Sequence, residues 1–232
     1  MSAAAAVRSG GRARLAGLLY IATIAAGLFA EVGVRSAFRG EGALAITDNM
    51  AFYRSGELAD LVMLCCYVAV TALFYDLFAP DGRRLSQLAA AFSLTGIAVL
   101  ASAGVLHLAP AELIARQQDG GACANGCAAA VTTLLDLHGA AYGISLIFFG
   151  AYCILIGSLV LRSRSMPAIV GVMMIVGGLS HLTTKALGVV YSDIAFPRPI
   201  LLLPLIGEAT LAAWLLIFGV RDRGKAVEEG HA

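Results

Sequence analysis

The sequence predicts an all-α polytopic membrane protein: a bundle of six transmembrane helices with a long central fourth helix. Three observations carry this. Of the 232 residues, 59% are hydrophobic and only 13% are charged, where a soluble domain has roughly 25% charged residues. Mean hydropathy is +0.85. The apolar residues also come in long unbroken runs, most of them close to the roughly 20 residues a helix needs to cross the hydrocarbon of a bilayer. A spanning segment must satisfy its own backbone, and the alternating pattern of a membrane barrel strand is absent, so the runs are helices.

The first run, Leu15–Val34, follows a basic stretch containing Arg8, Arg12 and Arg14. It is longer than the roughly 7–15 residues of a signal-peptide core and reads as a first span, with a cleaved signal as the alternative. Leu58–Phe78 and Leu85–Leu108 fit one crossing each. Ala128–Leu161 is long for one span, short for two, and carries no turn signal beyond single glycines. It reads as one helix that projects beyond the bilayer. Met166–Val190 and Ile200–Val220 complete the six. Residues 1–14 and 221–232 are then tails on either side of a membrane domain at 15–220.

Lys and Arg placement sets the orientation. With the N-terminus inside, the inner segments hold ten basic residues, among them Arg83, Arg84, Arg162 and Arg164, and the outer segments hold six. The inner turns are short, where this rule works best. The expectation is a multi-pass protein of the plasma or inner membrane with both termini cytoplasmic. Net charge is +1, and the basic residues sit at the ends of apolar runs. That placement is a topology signal and excludes a nucleic-acid partner; the partner is the lipid bilayer.

The second outer connection contains Cys123 and Cys127, separated by Asn125-Gly126, a pair that favours a turn. In an oxidising compartment the two form a disulfide candidate, with two free thiols as the alternative. Cys65, Cys66 and Cys153 lie in membrane segments and read as small core residues.

A charge inside a membrane is expensive and marks a functional candidate. Counting a helical rise of about 1.5 Å per residue from the inner ends puts Glu208 near 18 Å, His181 near 21 Å, Glu31 near 24 Å and Asp60 near 27 Å. Lys185 shares the height of Asp60, while His107, Asp136 and His138 come out higher still. The inner half holds only Asp76. The pattern implies a polar cup between the helices, open toward the outer face. The plainer reading, solvated interfacial groups, suits Lys185, His107 and Arg54. It suits Glu208 poorly, since Glu208 lies inside the sixth run, four residues after Pro204. Glu31 stands one turn from Arg35 and within reach of an ion pair. Asp136 and His138 are two residues apart and point to different faces. Asp136 shares its face with Gly139, Gly143, Gly150 and Gly157, a spacing that suits a tight helix contact, and His138 shares its face with Tyr142 and faces the cup.

Four stretches resemble one family of bacterial membrane proteins, the domain of unknown function 4386: "RLAGLLYIATIAAGLFAEVGVRS", "YRSGELADLVMLCCYVAVTALFYDLF", "DLHGAAYGISLIFFGAYCILIGSLVLRSRSMPAIVGVMM" and "IGEATLAAWLLIFGV". The resemblance implies a multi-helix membrane protein and carries no activity, cofactor or catalytic residue with it.

Three functions fit these residues. The first is a membrane-embedded enzyme performing acid–base chemistry on a small lipid-soluble substrate, with Glu208, His138, His181, Glu31, Asp60 and Asp136 as candidate catalytic groups. A Zn²⁺ ion held by His107, His138, His181 and a carboxylate is a variant of it, although no HExxH-type motif supports a metal. The second is a proton-coupled carrier or sensor of small molecules, which buried Glu and His also suit. The third is a scaffold or complex subunit whose polar groups only pair helices. No cofactor, substrate or oligomeric state follows from the sequence.

Overall fold

A computed structural model describes residues 3–38, 42–118, 127–163, 165–191 and 196–220. Every regular element among them is helical. Helix α1 (Ala3–Leu28) runs without a break into a seven-residue π-helix (Phe29–Arg35) and a short α2 (Ser36–Phe38). After α3 (Gly42–Asp48) comes α4 (Met50–Gln118), then α5 (Cys127–Ser163), α6 (Ala168–Val190) and α7 (Arg198–Ile217).

The 69 residues of α4 would reach about 100 Å as one straight rod. Pro80 and the extended backbone at Gly82 (φ 169°) break it into two arms. Pro80 removes a backbone donor and Gly82 leaves the helical region, so the chain folds back on itself. Hydrogen bonds between the arms fix an antiparallel register. Ser86 donates to the carbonyl of Tyr75, the Thr71 and Ser93 hydroxyls meet at 2.6 Å, and Tyr53 donates to the carbonyl of His107. Among the described residues five helices are long and apolar enough to cross a membrane, and the bend divides the longest into the second and third expected spans, so the six crossings are α1, the two arms of α4, α5, α6 and α7.

Successive helices pack side by side and α7 closes back on α1, which makes a ring. Small residues set the contacts. Gly157 meets the backbone of Gly171, Gly150 meets Gly178, Gly177 meets Pro204, and Gly17 meets Leu216. Close backbone approach through glycine is how membrane helices associate when lipid removes the hydrophobic drive between them. Helix α5 is the most buried span, and at 37 residues its length of about 55 Å outruns the hydrocarbon as expected. Prolines start α6 and α7, and Gly219, in the left-handed region at φ 67°, ends α7 with its N–H on the carbonyl of Leu215.

The ring interior holds an apolar core including Tyr20, Phe74, Phe78, Ile156, Leu159, Met174, Leu211 and Leu215, all with essentially no exposure. The outer surface carries exposed Leu58, Leu61, Val105, Val172, Leu202 and Ile206. That much apolar surface on a folded chain belongs against lipid, and the molecule is a multi-pass membrane protein. A second, smaller apolar cluster sits at one end, where Ile46 of α3 packs with Val34, Phe38, Tyr53, Ala111, Ile114 and Val131. This end is called the cup end below; the opposite end carries the bend of α4.

One expectation for α5 needs correction. Gly150 and Gly157 make the tight contact, but a side chain added at Gly139 or Gly143 would meet nothing within 4 Å. The glycine stripe packs only in its lower half, and Asp136 stands on the open upper half. The disulfide candidate lies outside the described residues, since these include neither Cys123 nor the side chain of Cys127.

Candidate functional site

A cavity of about 670 Å³ opens at the cup end between α1, α4, α5 and α6. Its charged lining is Glu31, Arg35, Asp136 and Lys185, and His107 and His138 line it as well. Phe38, Tyr53, Val131, Leu135 and Tyr142 supply the apolar wall.

The π-helix places the first two of these groups. Its wider turn, marked by the Ser36 N–H bonding back to the Glu31 carbonyl, keeps Glu31 and Arg35 on one face. Such π segments occur mostly where a helix has been reshaped for function. Arg35 Nε donates to Glu31 Oε2 at 2.8 Å, while its two terminal nitrogens bond Asp60 at 2.5 and 3.2 Å. Three of the five guanidinium N–H donors therefore go to carboxylates. The forked contact with Asp60 joins the first span to the second with fixed geometry. The guanidinium also lies 5.6 Å from the centroid of the Tyr142 ring, within cation–π range. Asp60 itself is buried behind Arg35 and reaches the cavity only through it.

The two histidines are held by backbone. Tyr53 and His107 stack at 4.4 Å with ring planes 13° apart, and His107 and His138 follow at 5.3 Å. His107 Nε2 faces the Tyr53 carbonyl at 3.4 Å and His138 Nδ1 faces the Ala103 carbonyl at 3.0 Å. A carbonyl only accepts, so each of these nitrogens carries its proton. In the neutral rings the other nitrogens, His107 Nδ1 and His138 Nε2, then hold lone pairs. Both are buried with no hydrogen-bond partner, as is Glu57 Oε2 beside Gly104. Buried polar atoms are rarely left unpaired in folded proteins.

The six candidate residues separate into two groups. Glu31, Asp136 and His138 line the cavity, with Asp60 joined to it through Arg35. Both Asp136 and His138 reach one cavity because His138 is buried against α4 while Asp136 stands exposed beside the opening. His181 and Glu208 are not on its wall. His181 packs over Gly150 where α5 and α6 cross, and Glu208 takes a bond from the Cys153 thiol at 3.4 Å deeper in the ring. The expected shared site of five groups is thus divided. The histidine trio considered for Zn²⁺ is divided with it, and among the described residues no three His, Cys, Asp or Glu side chains converge as metal ligands would.

Sequence reading undervalued His107, Arg35 and Tyr53, all of which wall the cup. His107, expected at the solvated interface, has no exposure. The missed signal is the pairing of positions 53 and 107 across a hairpin centred near Pro80, which becomes visible only once the two runs are read as one folded helix. Arg54 fits the interfacial reading, with an exposed pair to Glu112 at 3.1 Å.

The family model described as "Domain of unknown function (DUF4386)" matches residues 15–219. No curated protein and no solved structure matches the chain.

Proposed function

Because the chain belongs to the DUF4386 family, whose description carries no activity, its function has to be read from the cup, and we propose that the cup binds a small amphipathic molecule and performs acid–base chemistry on it. One observation carries this: two buried histidine nitrogens with free lone pairs, His107 Nδ1 and His138 Nε2, belong to rings on the wall of a cavity of about 670 Å³. That volume suits a small ligand. Each histidine is fixed in one tautomer by a backbone carbonyl, which is how a proton acceptor is oriented. Arg35, clamped by Glu31 and Asp60, is the fixed positive group that holds or polarises an anionic or carbonyl oxygen. Aromatic Phe38, Tyr53 and Tyr142 give the apolar part of the ligand its wall.

By the Lys and Arg asymmetry, the cup faces the extracytoplasmic side of the plasma or inner membrane. A carrier is supported less well, because the opposite end is filled by Phe74, Phe78, Ile156, Leu159 and Leu215 and sealed by glycine contacts. A pure scaffold leaves the cavity and its unpaired nitrogens without a purpose.

The test is ligand retention. Protein purified from membranes is analysed for bound small molecules by native mass spectrometry, alongside Leu135→Trp, which fills the cavity, and His138→Gln. The reading requires a bound species in the wild type that is lost in Leu135→Trp at an unchanged melting temperature. No bound species in the wild type, or equal retention in Leu135→Trp, refutes it.

A further inference from the structure

Below the cup, the ring holds a second polar group, half-buried, that the cup does not use. Glu208 stands halfway along α7, on the face of Pro204, Leu211, Ala212 and Leu215, all buried. Its one hydrogen bond of good geometry comes from the Cys153 thiol, a weak donor. Around it are three tyrosines. Tyr20 of α1, Tyr67 of α4 and Tyr152 of α5 share one core cluster with Cys153, the residue that bonds Glu208. The three rings touch one another, with centroids 5.8 Å apart for Tyr20–Tyr67 and 5.9 Å for Tyr67–Tyr152. All three side chains are at least 95% buried, and none of their hydroxyls has a hydrogen-bond partner of good geometry. Helix α6 adds no charge here; it meets α7 through Gly177 and the backbone of Met173.

A carboxylate held only by a thiol, beside three unpaired hydroxyls, is costly within a membrane-spanning ring. Water bound between them removes that cost, since a buried water typically makes about three hydrogen bonds to such groups. Tyr142 connects the two levels: it lines the cup and packs against the core cluster that holds Tyr20, Tyr67 and Tyr152.

We propose that Glu208, Tyr20, Tyr67 and Tyr152 form a water-holding proton-binding site, distinct from the cup, that exchanges protons with the outside through Tyr142. In one uptake a hydronium ion at the mouth of the cup gives up a proton and becomes water, and a proton arrives on a Glu208 oxygen. Every water or phenol between them accepts one proton and releases one, so within the protein only Glu208 changes charge, from −1 to neutral. The site does not depend on what the cup binds.

Infrared difference spectroscopy of the full chain in an ester-free detergent tests this without any cup ligand. Between alkaline and acid buffer, the wild type should gain a protonated-carboxyl C=O band that disappears in Glu208→Gln and is displaced in frequency in Glu208→Asp, so that either folded variant assigns it. The band should shift on transfer to D₂O, and Tyr142→Phe should slow that exchange several-fold. The proposal is overturned by a band that is absent, does not titrate, fails to exchange, or survives unaltered in the Glu208 variants. Exchange at the wild-type rate in Tyr142→Phe overturns the route through Tyr142. Loss of the cup ligand alone would leave all these readouts in place.

Discussion

Tyr53 and His107 each bond the other's backbone: the Tyr53 hydroxyl donates to the His107 carbonyl at 2.5 Å, and His107 Nε2 donates to the Tyr53 carbonyl at 3.4 Å. With the rings stacked between them, this exchange locks the two arms of α4 together at the cup end. It also decides which nitrogen of His107 is free.

The first prediction follows from that lock and from the Ala103 contact of His138. In ¹⁵N NMR of histidine-labelled protein at neutral pH, His107 should show the Nε2–H tautomer and His138 the Nδ1–H tautomer, assigned by loss of each signal in His107→Gln and His138→Gln. The same tautomer in both rings would contradict the geometry. Tyr53→Phe removes one buried hydrogen bond and should cost about 0.5–1.5 kcal/mol while broadening the His107 signal.

Arg35 serves two carboxylates, so its removal strands both. Arg35→Ala should lower stability by about 3–5 kcal/mol, the cost of leaving a buried partner charge uncompensated. Asp60→Asn should cost less, because Arg35 keeps Glu31. Glu31→Gln should cost least, since the Glu31 side chain is 35% exposed and such pairs contribute under about 1 kcal/mol. Thermal unfolding in detergent checks the order; a Glu31 variant worse than Arg35→Ala would refute the clamp.

The glycine stripe of α5 gives a contrast between its packed half, which meets glycines of α6, and its open half. A Cβ at Gly157 would lie 2.6 Å from the Gly171 carbonyl oxygen, and one at Gly178 on α6 would lie 2.5 Å from that of Gly150. Gly157→Ala and Gly178→Ala should each destabilise by about 1–3 kcal/mol through overpacking. Gly139→Ala and Gly143→Ala meet open space and should be neutral or stabilising by up to about 1 kcal/mol, the entropy cost of glycine in a helix. Equal losses at all four positions would contradict the divided stripe.

The apolar runs made the fold legible because a bilayer demands about 20 apolar residues per crossing and leaves the backbone no other solution than a helix. The six spans and the long α5 follow from that demand alone. The bend at Pro80–Gly82 was readable as a short turn, yet the register it sets was not, and with it went the pairing of Tyr53 and His107. Height along a helix could be counted for Glu208 and His181, but not rotation about it. Height put both below His138 in what reads as one shared cup, while packing through Gly150 and Gly177 put His181 at the α5–α6 contact and Glu208 deeper in the ring. The π-helix that presents Glu31 and Arg35 has no sequence signature separate from that of an α-helix.

The central claim is a cup open to one side and closed to the other, and thiol accessibility measures it most directly. In a background lacking the native cysteines, Thr132→Cys lies on the cup wall, and Ser93→Cys replaces a side chain with no exposure between the arms of α4. An impermeant maleimide added to intact cells should label Thr132→Cys and leave Ser93→Cys unreacted, and added to inside-out vesicles it should label neither. Labelling of Thr132→Cys only from the cytoplasmic face, or of Ser93→Cys from either face, would contradict a one-sided cup.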